Sequence, residues 1–119
     1  MSYLDAGRKK PERFYHGFVL GLLVSLRETY EVRSNRESGF GLYDVMMIPK
    51  DKNKLGIIME FKVADSKKLL IKEAAAALEQ INARSYETEL RARGISKILK
   101  LGIVFFGKKV LVKAGEQSI

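Results

Sequence analysis

Two strongly apolar runs joined by a short loop constrain this chain more than any other feature. They cover residues 42–48 and 55–63, and Pro49-Lys-Asp-Lys-Asn-Lys54 connects them with a hairpin-length set of turn formers. Such runs belong in an interior, yet Asp44, Glu60 and Lys62 sit inside them. Side chains alternate along a strand, so Glu60 and Lys62 share one face while Met59 and Phe61 take the other. A turn centred on Lys52 brings Asp44 directly opposite Glu60, with Cβ atoms about 5 Å apart. Two carboxylates in that relation repel and weaken the sheet unless a cation holds them.

The cation has two candidate sources. Lys62 lies two residues along on the same face, and a divalent ion can bridge the carboxylates. Magnesium binds through one or two carboxylates and completes its shell with waters and substrate phosphate. An ion so held activates water and stabilises charge developing on a phosphoryl group, and a neighbouring lysine can steady that charge. Glu-x-Lys alone says little in a chain that is 30% charged, since alternating strands routinely carry charges on a solvated face. Here both runs are so apolar that half-burial of the charges is expected, and burial without purpose is costly.

The remaining chain surrounds this hairpin with one domain's worth of elements. Its 119 residues suffice for a single domain, and 46% apolar content supports a core. Residues 1–10 form a basic N-terminal extension, and 11–119 form the domain. Helical periodicity runs from Glu12 to about Tyr30, led by Pro11. A short strand is expected over residues 30–36, followed by a two-glycine turn. Asp65 or Ser66 can cap a long helix starting near Lys67, which continues, with room for a break, to Arg93 before Gly94 stops it. Residues 98–106 make an apolar strand, and Gly107-Lys108 turns it into a last strand over 109–112. The order α-β-β-β-α-β-β indicates an α/β or α+β domain, with strand order left open.

Composition removes several chemistries. The chain has no cysteine, which excludes disulfides, thiol nucleophiles and Cys-ligated metals, and His16 is its one histidine. Gly102-Ile-Val-Phe-Phe-Gly107-Lys108-Lys109 approaches a P-loop, but Lys109 supplies no hydroxyl for magnesium and the intervening residues suit a buried strand. The stretch over residues 14–26 is too short and interrupted for a membrane span, which needs about 20 apolar residues. No apolar leader precedes the first charges, so a cytoplasmic location is expected. A net charge of +8 and a pI near 9.8 favour a polyanionic partner. The basic clusters 8–10, 50/52/54 and 67–68 together can contact phosphates, whereas Tyr86 with Arg84, Arg91 and Arg93 is expected on a solvated helix face.

Asp44 followed after a hairpin by Glu60-Phe-Lys62 resembles the PD-(D/E)xK nuclease superfamily. Pro11-Glu-Arg-Phe-Tyr-His-Gly17, Ser34-Asn-Arg-Glu-Ser-Gly-Phe-Gly41, Tyr43-Asp-Val-Met-Met-Ile-Pro49, Ile58-Met-Glu-Phe-Lys62, Ala77-Leu-Glu-Gln-Ile81 and Leu101-Gly-Ile-Val-Phe-Phe-Gly-Lys108 look like the nuclease-like domain at the C-terminus of AAA-ATPase-like bacterial proteins. The resemblance covers residues 11–113. It implies a restriction-endonuclease-like core, αβββαβ, with a central mixed sheet flanked by helices, and a Mg²⁺- or Mn²⁺-dependent nuclease acting on DNA. It further implies that Asp44, Glu60 and the backbone carbonyl of Phe61 bind metal, that Lys62 is the catalytic lysine, and that Glu12 is the accessory acid. Gln80 matches the polar residue beside the substrate, and His16, four residues after Glu12, shares its helix face. Tyr43 rather than proline precedes Asp44, and Arg84 stands where a Gln-x-x-x-Tyr signature would place tyrosine. Implied partners are DNA, an ATPase domain or chain, or a second copy in a homodimer. The alternative is a non-catalytic nucleic-acid-binding or ATPase-docking module on the same fold.

Overall fold

The computed structural model describes residues 17, 20, 21, 23–35 and 43–115. The basic N-terminal extension, Glu12 and His16 lie outside these. Among the described residues, five strands make one sheet in sequence order: β1 (Tyr30–Asn35), β2 (Tyr43–Pro49), β3 (Gly56–Val63), β4 (Ile98–Phe106) and β5 (Lys109–Ala114). The β3–β4 pair is parallel and every other pair antiparallel, so the sheet is mixed. Parallel neighbours require a crossover. Here it is a 3₁₀ turn (Lys67–Leu69), α1 (Leu70–Ala83) and α2 (Tyr86–Ala92).

The hairpin forms where its loop directs it. Asp51 anchors the turn: its side-chain Oδ1 accepts from the Asn53 N–H at 2.9 Å, and its carbonyl accepts from the Lys54 N–H at 2.9 Å. This fixes the register at Met47↔Ile57, Val45↔Met59 and Asp44↔Glu60, as the sequence predicts. Because β2 and β3 are covered on both faces, they read as continuous apolar runs and not as alternating ones.

One face packs Val45, Met47, Met59 and Phe61 with Phe105 and with Leu23 from the helical residues 23–26. The Phe61 and Phe105 rings stack with centroids 6.2 Å apart. The other face packs Met46, Ile48 and Ile58 against Ile81, Leu90, Ile95 and Ile98. Ala74 and Ala77 of α1 are fully buried, and their small side chains bring the helix close to β4. The result is an α/β architecture with a mixed sheet flanked by helices.

Two local expectations need adjusting and two are met. Ser66 occupies the cap position before the 3₁₀ turn, but its side chain makes no capping hydrogen bond, and its carbonyl accepts from the Leu69 N–H instead. The long helix does break, at Arg84 and Ser85, where Arg84 adopts extended backbone (φ −94°, ψ 161°). Gly94 ends α2 with φ +88°, a conformation suited to glycine. Finally, β5 extends two residues beyond 112, because Leu101 and Gly102 continue to offer it pairing partners.

Candidate active site

Asp44 is the second residue of β2, and Glu60 and Lys62 lie toward the end of β3. Asp44 and Glu60 are direct ladder partners, and Glu60 pairs on its other side with Gly102 of β4. All three charged side chains project to the α1 face of the sheet, the face of Met46 and Ile58. They are buried: Asp44 is 1% exposed, Glu60 0% and Lys62 5%. The half-burial expected from the sequence is an underestimate, since α1 closes directly over the ladder.

The closeness of α1 depends on Gly102. A Cβ there would lie 2.8 Å from the Ala74 carbonyl oxygen and 3.1 Å from the Ala77 Cβ. Glycine therefore lets the helix backbone descend onto β4 beside Glu60. One turn beyond Ala77, Gln80 is partly buried, and its Oε1 is enclosed with no hydrogen-bond partner among the described residues. A buried acceptor without a donor costs about 1–3 kcal/mol, which suits a group that meets a ligand.

The largest departure from the sequence reading is Arg84. Its Nε lies 3.1 Å from Asp44 Oδ2 and 4.0 Å from Glu60 Oε1. A guanidinium is thus a third source of positive charge for the carboxylate pair, besides Lys62 and a divalent ion. Its side chain is 26% exposed, so it reaches the pair from the rim. The available signal was its place four residues after Gln80, a spacing that puts two side chains on one helix face. The extended backbone at the α1–α2 break aims Arg84 back across the sheet.

The other arginines of that region are engaged elsewhere. Arg33 Nη1 lies 2.6 Å from Glu89 Oε2, Arg93 contacts both Glu31 and Glu89, and Arg91 pairs with Glu87. Tyr86 is half-buried and packs against Ile81 and its neighbours, so the solvated face expected for it is corrected.

Topology sorts the exposed lysines. The 50–54 loop lies at the end of the sheet away from Lys62. Lys67 and Lys68 follow β3, and Lys108 and Lys109 follow β4, so these four lie at the end where the charged trio stands. Hydrogen bonding to Lys67, and then repulsion from its charge, lowers the pKa of Lys109 from the ordinary lysine value.

The donor set fits a hard divalent cation. Two buried carboxylates meet across one ladder, and Phe61, whose carbonyl the resemblance adds as a ligand, follows Glu60 in β3 opposite Tyr43 and Ile103. No third His, Cys, Asp or Glu joins them among the described residues. Magnesium needs no more than two carboxylates, because water and phosphate complete its octahedron. No helix among the described residues is long and apolar enough to cross a membrane.

A family profile described as PD-(D/E)XK nuclease superfamily matches residues 10–115. No curated protein and no solved structure matches the chain.

Proposed function

This chain belongs to the PD-(D/E)XK nuclease superfamily, and we propose that it hydrolyses phosphodiester bonds of DNA at Asp44, Glu60 and Lys62 with Mg²⁺ or Mn²⁺. The superfamily is generally hydrolytic, acts on nucleic acid and typically uses divalent metals; the particular residues, metal and substrate are our reading. One observation carries it: two carboxylates and an ammonium converge on one face of a hairpin that is otherwise apolar, each at most 5% exposed. Burying three ionisable groups is expensive. A module that only docks or binds would gain nothing from retaining all three.

Asp44 and Glu60 would hold the metal, with the Phe61 carbonyl as a further ligand. The bound cation would supply a Lewis acid and lower the pKa of an attacking water. Lys62, on the same face two residues beyond Glu60, would donate an N–H hydrogen bond to the water or to a non-bridging phosphate oxygen. Exclusion of solvent strengthens that interaction. Gln80 brings an unused buried acceptor to the substrate side. The four lysines at the same end of the sheet hold the phosphate backbone and make binding salt-dependent.

The test is cleavage of plasmid and linear DNA by the purified protein with Mg²⁺ or Mn²⁺. Wild type should cut, and Asp44→Asn, Glu60→Gln and Lys62→Met should not. Equal cutting by all four proteins would assign the activity to a contaminant. Salt-sensitive DNA binding without cleavage or metal uptake would identify a non-catalytic module, and capture of an ATPase without DNA affinity would identify a docking one.

A further inference from the structure

Arg84 has no role in the hydrolytic scheme, yet it makes charge contacts with both carboxylates. Its Nε stands 3.1 Å from Asp44 Oδ2 and 4.0 Å from Glu60 Oε1, whereas those oxygens are also the ones a metal would need. Asp44 and Glu60 are buried, directly opposed and of like charge. A sheet does not tolerate that pairing without compensation.

We propose that Arg84 is an internal counter-cation of the Asp44–Glu60 pair and competes with the divalent metal for Asp44, so that metal binding requires the guanidinium to release that contact. The inference rests on the metal-site reading above. Two features make Arg84 suited to leaving. It is partly exposed, so the departing guanidinium is rehydrated without entering the core. It also sits in extended backbone between α1 and α2, so its side chain can swing without breaking a helical turn. A guanidinium and a divalent cation cannot share one carboxylate oxygen at close range, because their mutual repulsion opposes it. Occupancy is therefore exclusive, and Arg84 sets a threshold of metal concentration for loading the site.

The experiment is calorimetric titration of the full chain with Mn²⁺, comparing wild type, Arg84→Gln and Arg84→Lys, with thermal denaturation of each in chelator. Removing the competing charge should tighten Mn²⁺ binding about tenfold in Arg84→Gln and lower its metal-free melting temperature. Arg84→Lys, which retains a cation, should bind close to wild type. Unchanged or weaker binding by a folded Arg84→Gln, while wild type binds, overturns the competition and leaves the metal site standing. No binding by any of the three removes the metal site and the competition with it. Should Arg84→Gln fail to fold, the Nε–H resonance of Arg84 in wild type decides the matter during Mg²⁺ titration. Movement that saturates with calorimetric binding supports competition, and an unmoved resonance contradicts it.

Discussion

Gly102 faces Glu60 across the parallel β3–β4 ladder, and the carbonyl oxygen of Ala74 lies within 2.8 Å of where a Gly102 Cβ would stand. Helix α1 therefore rests on β4 by backbone contact, and the level of the helix fixes where Gln80 and Arg84 lie above the carboxylates. The colliding atom is a backbone oxygen, which cannot rotate away. Gly102→Ala should cost about 1–3 kcal/mol of stability through overpacking. It should also move Gln80 away from the carboxylates and reduce cleavage more than it reduces DNA binding. Thermal denaturation with parallel cleavage and binding assays checks this. A variant of wild-type stability would mean α1 is not seated by Gly102.

Lys62 offers a way to separate chemistry from folding. Methionine matches the apolar stem of lysine in volume, so Lys62→Met removes the ammonium without opening a cavity. The variant should still fold, melting below wild type because the buried carboxylates lose a neighbouring cation, while its cleavage rate falls about 10²- to 10³-fold, the range for losing one pre-organised charge stabiliser. Loss of both fold and activity would make Lys62 a structural residue.

The sequence disclosed the hairpin well because its information is local. Turn formers at residues 49–54 and the two-residue alternation were enough to oppose Asp44 to Glu60, and β4 was bounded correctly at residues 98–106 by its apolar run. Arg84 illustrates what local patterns miss. Its contact depends on a helix break, on the crossover from β3 to β4 and on the depth to which Gly102 admits α1; none of these is a short-range property. Strand order escaped for the same reason, since the parallel β3–β4 pairing joins residues more than forty positions apart in sequence. The run through Gly102 was rightly read as strand and not phosphate loop, although the reason for its glycine became visible only with Ala74 above it. Glu12 and His16, assigned by resemblance to the same site, lie outside the described residues.

Lys67 and Lys109 should contribute to DNA affinity and not to chemistry. Lys67 lowers the Lys109 pKa by hydrogen bonding and repulsion, so the unfolded chain holds more protons than the folded one between that depressed value and 10.5. Stability accordingly rises with pH through this window, and the repulsion is fully present below it. Lys109→Gln should remove that rise in a low-salt pH series of thermal melts. The double variant Lys67→Gln/Lys109→Gln should weaken DNA binding across sequences and lower the slope of log K against log salt by about 1 to 2. An unchanged slope would exclude this end of the sheet from the DNA interface.

Asp44 and Glu60 together should hold a divalent cation beside Lys62, and anomalous diffraction at the manganese edge from crystals soaked in Mn²⁺ locates such an ion. A peak is expected within bonding distance of one carboxylate oxygen of each residue, on the α1 face of the sheet. Saturating Mn²⁺ with no peak between these two side chains, in protein that still cleaves DNA, would contradict it.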